Sequence, residues 1–335
     1  ANLTQTLVNA PSQSVRYYMN HNKLLIIGDA NIDIIINGLK NMPEMGQEIF
    51  VDNIFVRAGG GAANTAAGLA KLGCNPTLYS AVGNDQHGKF IERTLKSAGV
   101  ELSLLRVHET LPTGISVSIS DGSDRMFISS MGANPEIEPT SIDEKTLSQF
   151  SHIHLSAWNP KLSLKQYKET AKRARQLGCT VSLDIGWTDE SWNHDELFDL
   201  LKETDIFFPN LSEARCLCWP TATEDQMGQY LLSYVNDVVV ITKGSDGAVA
   251  YHKKEKYSDK YVTKAIDSVG AGDAFNAGFL SAYVHKLPIE VCLSYGCACG
   301  STAVQKVGGG IPMSWEILTA SVKDHMTKRG STSNF

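Results

Sequence analysis

The segment from residue 267 to residue 280 has the sequence DSVGAGDAFNAGFL. Gly270, Ala271 and Gly272 precede an apolar run of helical length, and Asp273 stands in what would be its first turn. Small residues at a helix start leave the backbone N–H groups open to an anion, which the helix dipole also favours. The segment therefore predicts a phosphate site, with Asp273 beside it as a base for a substrate hydroxyl. A plain helix cap and a tight turn explain the same pattern.

Upstream of this segment, short apolar runs alternate with stretches of helical length. This alternation is typical of βαβ units, so it predicts an α/β fold with a doubly wound, mainly parallel sheet. The predicted strands are Leu24–Ile27, Thr77–Val82, Ile153–Ser156, Thr180–Leu183, Ile206–Phe208 and Val238–Thr242, and Ser163–Leu177 is one of the predicted helices.

Two strand-like stretches, Glu48–Arg57 and Thr113–Ser129, have no helix between their apolar runs. The second alternates apolar and serine residues and contains an Asp121-Gly122 turn, which indicates an antiparallel hairpin. We predict a small antiparallel lid, inserted from about residues 34–57 and 111–130 into one domain over residues 23–330. Residues 1–22 are then an N-terminal extension. Such a sheet can cover a cleft or join two copies as a homodimer.

Composition narrows the partners of this 335-residue chain. It has 30 Lys and Arg residues against 36 Asp and Glu residues, so no basic surplus favours nucleic acid or an anionic membrane. No apolar stretch is long enough for a membrane span or a signal peptide. The seven cysteines lie mostly within apolar stretches, which is typical of free buried thiols. We expect a chain that works in the reducing cytoplasm.

A second glycine-rich segment, AGGGAANTAAGLAKLG, spans residues 58–73. Its three consecutive glycines allow a ligand to approach the backbone closely. Asn64 occupies the position of the third glycine of a dinucleotide fingerprint, and the Walker pattern is absent from the chain. The sequence therefore favours neither a nicotinamide site nor a P-loop.

The two glycine segments together resemble the paired signatures of the ribokinase-like, PfkB-type carbohydrate kinases. Four further segments resemble that family and occur in the family's order along the chain. They are GDANID at residues 28–33, GNDQHG at 83–88, NLSE at 210–213 and TKGSDG at 242–247. The resemblance runs from about residue 23 to residue 325 and implies a ribokinase-like fold, with ATP and Mg²⁺ as cofactors.

The resemblance also implies roles for individual residues. Asp273 is the expected catalytic base, and Gly270, Ala271 and Gly272 form the expected anion hole. Glu213 is expected to hold Mg²⁺ through water, although Asn210 and Glu213 also fit a helix cap. The nucleotide-binding residues that the resemblance implies are Asn210, Thr242, Gly244, Gly247 and Asn276, and the substrate-binding residues are Asp33, Gly60, Gly61 and Asn64. Asn31 and Arg125 are further substrate-binding candidates from their position and chemistry.

A K⁺ ion is a further expectation from the resemblance, at Asp267, Val269 and the segment of residues 304–310. Arg125 lies in the predicted lid and is a candidate for an anionic substituent or a phosphate; a solvated hairpin arginine is the alternative. Asn31 is either a substrate contact or a polar residue at a strand end.

Three departures from the family's patterns bear on the acceptor. Gly61 stands where ribokinases carry a lysine, and residues 155–158 read LSAW where their sugar-binding glutamate is expected. Residues 184–187 read DIGW, without the arginine of ketodeoxygluconate kinases and fructokinase-like members. These departures leave the identity of the sugar open.

We therefore expect an ATP-dependent phosphotransferase that acts on a hydroxyl, most simply a primary one, of a small sugar or sugar derivative. A nucleoside kinase of the same fold is the alternative within this class, and Trp158 or Trp187 would then stack on a base. A non-catalytic sugar or nucleotide sensor and a nicotinamide oxidoreductase are the alternatives from other classes.

Overall fold

The computed structural model describes residues 23–39, 41–120, 125–157, 164–186, 194–306, 310–311 and 313–332. The N-terminal extension, the Asp121-Gly122 turn, Trp158 and Trp187 lie outside these residues.

Thirteen strands and ten helices are formed by the described residues. The strands are β1 Lys23–Ile27, β2 Asn31–Asn37, β3 Ile54–Gly59, β4 Asn75–Gly83, β5 Leu105–His108, β6 Gly114–Ser120, β7 Arg125–Ser130, β8 His152–Ala157, β9 Thr180–Ile185, β10 Ile206–Phe207, β11 Val238–Thr242, β12 Ala248–His252 and β13 Glu255–Asp259. The helices are α1 Gly61–Lys71, α2 Gln86–Ala98, α3 Glu144–Leu147, α4 Leu164–Gln176, α5 His194–Leu201, α6 Leu211–Cys216, α7 Glu224–Leu232, α8 Ala271–Val284, α9 Ile289–Ala303 and α10 Trp315–Thr332.

The large sheet has the strand order β13-β12-β11-β10-β9-β8-β1-β4-β5. Its strands from β11 to β5 pair in parallel, while β12 and β13 form an antiparallel edge. Alternate residues of β1 enter two separate cores, Leu24 and Ile26 on one face and Leu25 and Ile27 on the other. The predicted doubly wound α/β fold is confirmed, because helices cover both faces of a mainly parallel sheet.

The six strands predicted from apolar runs all lie in this sheet. The antiparallel edge was not predicted, because β13 has the sequence EKYSD and lacks an apolar run. A tight turn at Lys253, with φ of 53°, joins its two strands.

The four remaining strands form a small separate sheet in the order β3-β2-β6-β7, which we call the lid sheet. Its outer pairs are antiparallel, as predicted for hairpins. The central pair of β2 and β6 is parallel, because the two chain segments enter the sheet in the same direction. The lid sheet begins at Asn31, directly after the loop that follows β1. Of the strand-like stretch predicted at Glu48–Arg57, the part before Ile54 is not strand.

The register divides the lid sheet into two chemically different faces. Asp33, Ser116 and Ser129 lie side by side on the face that lines the cleft. Ile34, Val117 and Ile128 are the corresponding neighbours on the opposite face, and Ile128 is 62% exposed. Because side chains alternate along a strand, the second face is apolar over its whole width.

None of the described helices is both long enough and apolar enough to span a membrane.

Two histidines of β8 are buried in the middle of the large sheet. His152 contacts the hydroxyls of Thr180 and Ser182 at 2.7 and 2.8 Å, and His154 Nδ1 lies 2.8 Å from the same Ser182 hydroxyl. Burial lowers the pKa of both histidines to about 3. They are therefore neutral parts of the core at pH 7.

These histidines predict a loss of stability in acid. An unfolded histidine takes up a proton near pH 6.5, whereas the folded pair does so near pH 3, so stability falls as pH drops below about 6.5. We expect each histidine to cost about 2 kcal/mol of unfolding free energy between pH 7 and pH 5. Denaturant unfolding of wild type and His154→Leu across this range measures the difference between their pH profiles. The exposed His194→Leu is the control, and identical profiles for wild type and His154→Leu would contradict the prediction.

Candidate active site

A cleft of about 1160 Å³ lies between the lid sheet and the carboxyl ends of the parallel strands. Asp29 follows β1, Asp184 lies at the end of β9, and Asn210 and Thr242 lie at the ends of neighbouring segments of the sheet. Open α/β sheets bind their ligands at this edge, because the loops there come together from several strands.

The start of α8 forms one wall of the cleft. Gly270 precedes the helix with φ of 73°, a left-handed conformation that favours glycine, and no side chain caps the first turn. A Cβ placed on Gly272 would have no neighbour within 4 Å, so the space before the first turn is open. Of the three residues of the predicted anion hole, Gly270 lines the cleft, while the Ala271 N–H donates to the Ser268 carbonyl at 3.3 Å.

Asp273 joins this helix start to the other glycine segment. Its Oδ2 accepts a hydrogen bond from Asn64 Nδ2 at 2.9 Å. Close packing of α1 on α8 makes this contact possible, since a Cβ on Gly68 would lie 2.7 Å from Ala277 Cβ. The two predicted motifs therefore form one site.

The glycine segment lies close to the base of the cleft. Gly60 precedes α1 with φ of 95°, and a Cβ there would lie 2.7 Å from the Asp29 carbonyl oxygen. A Cβ on Gly61 would lie 2.9 Å from Ser156 Oγ and 3.5 Å from Asp273 Oδ1. Gly61 and Ser156, each within a departure from the ribokinase pattern, thus face each other beside Asp273.

The predicted substrate residues form a hydrogen-bonded group opposite the helix start. Asn31 donates to Asp29 at 2.9 Å and accepts from Asn134 Nδ2 at 2.5 Å. The carboxylate of Asp33 lies over Gly59, where a Cβ would be only 2.0 Å from Asp33 Oδ2. Glycine at position 59 therefore makes room for this carboxylate at the cleft wall.

Asp29 is a site residue to which sequence reasoning assigned no role. It is buried, and its Oδ1 also accepts from the Ala62 N–H at 3.4 Å. The sequence feature that could have identified Asp29 is a carboxylate directly after a predicted buried strand, in the GDANID segment. Burial raises the pKa of Asp29 to about 6, although its hydrogen bonds act in the opposite direction. Burial and the negative charges of Asp29 and Asp267 raise the pKa of Asp33 to about 7.

Asn210 and Glu213 form a reciprocal helix cap at the start of α6. The Glu213 carboxylate accepts from the Asn210 N–H at 2.8 Å and from Asn210 Nδ2 at 2.7 Å, and Asn210 Oδ1 accepts from the Glu213 N–H at 2.9 Å. Burial raises the pKa of Glu213 to about 7. The two residues therefore form a helix cap, and Glu213 also lines the cleft.

Asp184 and Asn276 form a second buried pair below the cleft. Asn276 Nδ2 donates to Asp184 Oδ2 at 2.6 Å. Burial, followed by the negative charges of Glu213 and Asp273, raises the pKa of Asp184 well above its usual value. Asn276 is only 2% exposed, and it lies one helical turn after Asp273 rather than on the cleft surface.

The predicted nucleotide segment lies at the other end of the cleft. Thr242 and Gly244 line the cleft, and the Thr242 N–H donates to the carbonyl of Pro209 at 3.0 Å. Gly247 contacts β13 instead, because a Cβ there would lie 2.1 Å from the Asp259 carbonyl oxygen. Its φ of 80° also favours glycine, so this position shapes the turn.

Two predicted elements remain, Arg125 of the lid sheet and the cation segments, of which Val269 lines the cleft. The backbone of Arg125 pairs with Ser120 at the far end of the lid sheet. The predicted cation loop brings two segments together, since the Ile266 and Asp267 N–H groups donate to the Val304 carbonyl at 2.7 and 3.1 Å. Residues 307–309 of that loop lie outside the described residues.

The carboxylates, the amides and the start of α8 line one cleft. A family comparison decides between the classes of function that the sequence left open. The sequence model of the pfkB family carbohydrate kinases matches residues 21–316. The chain belongs to this family. It is a kinase, and the two alternative functions from other classes, an oxidoreductase and a non-catalytic sensor, are therefore excluded.

Relatives of this pfkB kinase act on different acceptors according to their names. It is 31% identical to the ATP-dependent ribose-1-phosphate kinase of Halopiger xanaduensis over 85% of this chain and 93% of that protein. It is 31% identical to the ribokinase of Arabidopsis thaliana over 86% of this chain and 77% of that protein. It is 29% identical to the nucleoside kinase of Methanocaldococcus jannaschii over 90% of this chain and 97% of that protein.

Solved structures of two such proteins share the fold. The Arabidopsis thaliana ribokinase, complexed with ribose and ATP, has a TM-score of 0.77 at 27% identity, over 90% of this chain and 98% of that chain. The Methanocaldococcus jannaschii nucleoside kinase has a TM-score of 0.75 at 29% identity, over 91% of this chain and 99% of that chain. The predicted ribokinase-like fold is confirmed for this pfkB kinase.

Proposed function

We propose that the chain transfers the γ-phosphoryl group of ATP to a hydroxyl, most simply a primary one, of a small sugar or sugar derivative. The observation that carries this proposal is the Asn64–Asp273 hydrogen bond, which places a carboxylate beside the open start of α8. The acceptor contacts Asn31, Asp33, Gly60, Gly61 and Asn64, while the nucleotide lies along Asn210, Thr242 and Gly244.

In this proposal the chain's own groups align and stabilise the reacting atoms. Asp273 accepts the proton of the acceptor hydroxyl as the hydroxyl oxygen attacks phosphorus, and Asn64 orients that carboxylate. The backbone N–H groups at Gly270 and Gly272 donate to the oxygens of the transferring group, whereas the Ala271 N–H already donates to the Ser268 carbonyl. Phosphoryl transfer depends chiefly on this alignment and on neutralising charge on those oxygens.

The carboxylates of the cleft fit a magnesium ion that enters with the nucleotide. The described residues contain no ready-made cluster of three or more metal-binding side chains. Magnesium commonly takes one or two carboxylates together with phosphate oxygens and water. Glu213 and Asp184 suit this role. Burial raises the pKa of Glu213 to about 7, and burial followed by the negative charges of Glu213 and Asp273 raises the pKa of Asp184. A nearby cation would offset the cost of these buried charges. The ion would neutralise phosphate charge.

Replacement of Glu213 tests this role without removing the helix cap. The cap of α7 already uses Gln226 at the equivalent position, so Glu213→Gln should keep the cap and the stability. We expect the Mg²⁺ concentration for half-maximal activity to rise by about tenfold, since one carboxylate is lost. A magnesium titration of the kinase assay measures this, with the exposed Glu92→Gln of α2 as the control. An unchanged titration would remove Glu213 from the metal site.

A nucleoside is the alternative acceptor, favoured by one observation. Phe127 of the lid sheet lines the cleft and is 53% exposed, so the cleft wall carries an aromatic ring of the kind on which bases stack. A coupled ADP-release screen over pentoses, hexoses, sugar acids, amino-sugar derivatives and nucleosides separates the two acceptors. ADP release with sugars supports the first proposal, and release with nucleosides alone supports the second. No acceptor-dependent release would contradict both.

We also propose a homodimer joined through the apolar face of the lid sheet. Val56, Met126 and Ile128 on that face are 45%, 48% and 62% exposed. A contiguous apolar face of this kind favours burial against another surface, and a second copy offers a matching one.

A charge on the apolar face should prevent this association. We expect Ile128→Asp to be monomeric, because an unpaired carboxylate cannot be buried in the interface without a large cost. Light scattering after size-exclusion chromatography measures the mass. Ile317→Asp, on α10 at 60% exposure, is the control and should behave like wild type. A monomeric wild type would overturn the dimer.

Three further predictions remain proposals. The reducing cytoplasm is supported by the seven free cysteines, five of them buried. Activation by K⁺ at Asp267 and Val269 is supported by the contact of this segment with Val304. The roles of Gly247 and Asn276 in binding are supported by the family resemblance, and that of Arg125 by its charge and its place in the lid sheet.

A further inference from the structure

Three of the chain segments that connect the lid sheet to the rest of the molecule meet at one point. Asn31 begins β2, Gly114 begins β6, and Asn134 lies shortly after the end of β7. A Cβ on Gly114 would lie 2.3 Å from Asn31 Oδ1 and 2.7 Å from Asn134 Nδ2. The two amide side chains therefore fill the space beside this glycine. We call these three residues the lid root.

Asn134 is fully buried, and both ends of its amide are hydrogen-bonded. Its Oδ1 accepts from the Ala30 N–H at 3.4 Å, and its Nδ2 donates to Asn31 Oδ1 at 2.5 Å. Asn31 Nδ2 in turn donates to Asp29 Oδ2 at 2.9 Å, and Asp29 Oδ1 accepts from the Ala62 N–H at 3.4 Å. One chain of hydrogen bonds therefore runs from the end of the lid sheet to the start of α1.

The two ends of this hydrogen-bond chain fix the direction in which each amide faces. The Ala30 N–H can only donate, so it requires the oxygen of Asn134 at one end. The Asp29 carboxylate can only accept when it is ionised, so it requires the nitrogen of Asn31 at the other end. Turning either amide over would place two oxygens or two N–H groups against each other in a buried site. Asn134 therefore determines which way the Asn31 amide faces.

The orientation of Asn31 bears directly on the acceptor site. Asn31 is 4% exposed and lines the cleft. It uses one of its two N–H groups on Asp29 and can offer the other to an acceptor hydroxyl. Asn134 is 0% exposed, so it acts on an acceptor only through the residues that it contacts. Of its two hydrogen-bond partners, Ala30 and Asn31, the second is the one that lines the cleft.

A separate set of contacts anchors β6 beside the lid root. The Thr113 N–H and hydroxyl donate to the two carboxylate oxygens of Asp85 at 2.8 and 2.7 Å, directly before β6 begins. The Thr113 hydroxyl also accepts from the Gly83 N–H at 3.0 Å. Asp85 belongs to the GNDQHG segment. Because these contacts do not involve Asn134, its replacement should leave the lid sheet anchored and change the acceptor site locally.

We propose that Asn134 is a positioning residue for the acceptor and that it acts by fixing the orientation of the Asn31 amide. The inference rests on the proposed kinase function of the same cleft. Without the hydrogen bond from Asn134, the Asn31 side chain has several orientations, and only some of them match a bound hydroxyl. Acceptor binding then includes the entropy cost of ordering a side chain that the wild-type protein has already ordered.

The variant Asn134→Ala tests this role. We expect KM for the acceptor to rise by about tenfold, because a buried hydrogen bond and the order that it imposes are lost. KM for ATP should stay unchanged. Initial-rate kinetics measure both constants, with the compound that has the highest kcat/KM in the ADP-release screen as the acceptor. An acceptor KM at the wild-type value in a folded Asn134→Ala protein would overturn the proposal.

Asn236→Ala is the matched control. Asn236 Nδ2 donates to the carbonyls of Lys202 and Thr204 at 2.9 Å each, so this variant also loses amide hydrogen bonds between two chain segments. The two segments precede β10 and β11 and lie at the opposite end of these strands from the cleft. Asn236→Ala should lower the melting temperature and leave both KM values unchanged. An equal rise of acceptor KM in this control would assign the effect to stability and contradict positioning.

A double-mutant cycle shows whether Asn134 acts through Asn31. Asn31→Ala alone should raise KM for the acceptor by about tenfold. If Asn134 acts by orienting the Asn31 amide, Asn134→Ala should add less than about twofold in the Asn31→Ala background. A further tenfold rise in that background would mean that the two residues act independently, and it would exclude the proposed mechanism.

Hydrogen exchange of the wild type covers the case in which Asn134→Ala does not fold. Acceptor binding at Asn31 should stabilise the whole hydrogen-bond chain, which ends at the Ala30 N–H. We therefore expect this N–H to exchange about fivefold more slowly when the acceptor is saturating. An unchanged exchange rate at saturation would show that Asn134 is not coupled to the acceptor.

Failure of the kinase function gives a different result. If no compound in the screen releases ADP, calorimetry with ribose, fructose, gluconate and adenosine measures acceptor binding to the wild type and to Asn134→Ala. Binding that is about tenfold weaker in the variant supports positioning, and equal binding contradicts it. Binding of none of these compounds to the wild type would overturn both the acceptor site and the role of Asn134.

Discussion

Asp273→Asn should lower kcat by about three orders of magnitude while nucleotide binding persists. The amide has nearly the same shape and its oxygen can still accept from Asn64, but it cannot take the proton of the attacking hydroxyl. General base catalysis contributes about 10²- to 10⁴-fold, so the loss is far larger than any effect on packing. Steady-state kinetics give the loss in kcat, and calorimetry with a non-hydrolysable ATP analogue gives nucleotide binding.

A second helix supplies the control for this variant. Asp195 also stands in the first turn of a helix, α5, and it is exposed. Asp195→Asn removes the same favourable interaction with a helix dipole, which is worth about 0.3–1 kcal/mol, without touching the cleft. It should leave kcat unchanged. Turnover of Asp273→Asn close to wild type would show that Asp273 only stabilises its helix.

Asp33→Asn should reduce kcat/KM for the acceptor by about 10- to 100-fold, because a hydrogen bond to a charged group is worth about 1.5–3 kcal/mol. The carboxylate accepts from two hydroxyls, whereas the amide has one accepting oxygen. The effect should appear mainly in KM for the acceptor, and KM for ATP should stay unchanged. Initial-rate kinetics with each substrate varied in turn measure both constants.

The raised pKa of Asp33 adds a pH signature to this prediction. With a pKa of about 7, the side chain is protonated below that pH and ionised above it. Acceptor binding by wild type should therefore strengthen as pH rises through 7, and Asp33→Asn should lose this dependence. Asp52→Asn, exposed and ahead of β3, is the charge control. A KM for the acceptor that stays at the wild-type value in Asp33→Asn would place the acceptor elsewhere in the cleft.

Much of the fold followed from local patterns. Apolar runs such as Leu24–Ile27 and Val238–Thr242 predicted strands because a strand covered on both faces needs apolar side chains throughout. The antiparallel edge of the large sheet was not predicted, because β13 is mostly polar and forms a strand through its pairing with β12. The parallel centre of the lid sheet was not visible either, since it joins β2 and β6 from distant segments.

The residues of the candidate site were also predicted only in part from the sequence. The glycines and Asp273 were found from sequence, because a helix start needs small residues to leave its N–H groups open. Asp29 and Asp184 were assigned no role, since a carboxylate gains its raised pKa from burial and from neighbouring charges that the sequence does not show. Asn276 was expected on the adenine side, and the structure pairs it with Asp184.

The sequence by itself determined the βαβ rhythm, the two glycine-rich helix starts and the family to which they belong. These features depend on residues close together in the chain, where periodicity and backbone freedom act. Only the tertiary structure brought Asn64 to Asp273 across 209 residues and set Gly61 against Ser156. The raised pKa values of the cleft carboxylates and the apolar outer face of the lid sheet were also decided there, because burial and electrostatic coupling depend on which distant segments pack together.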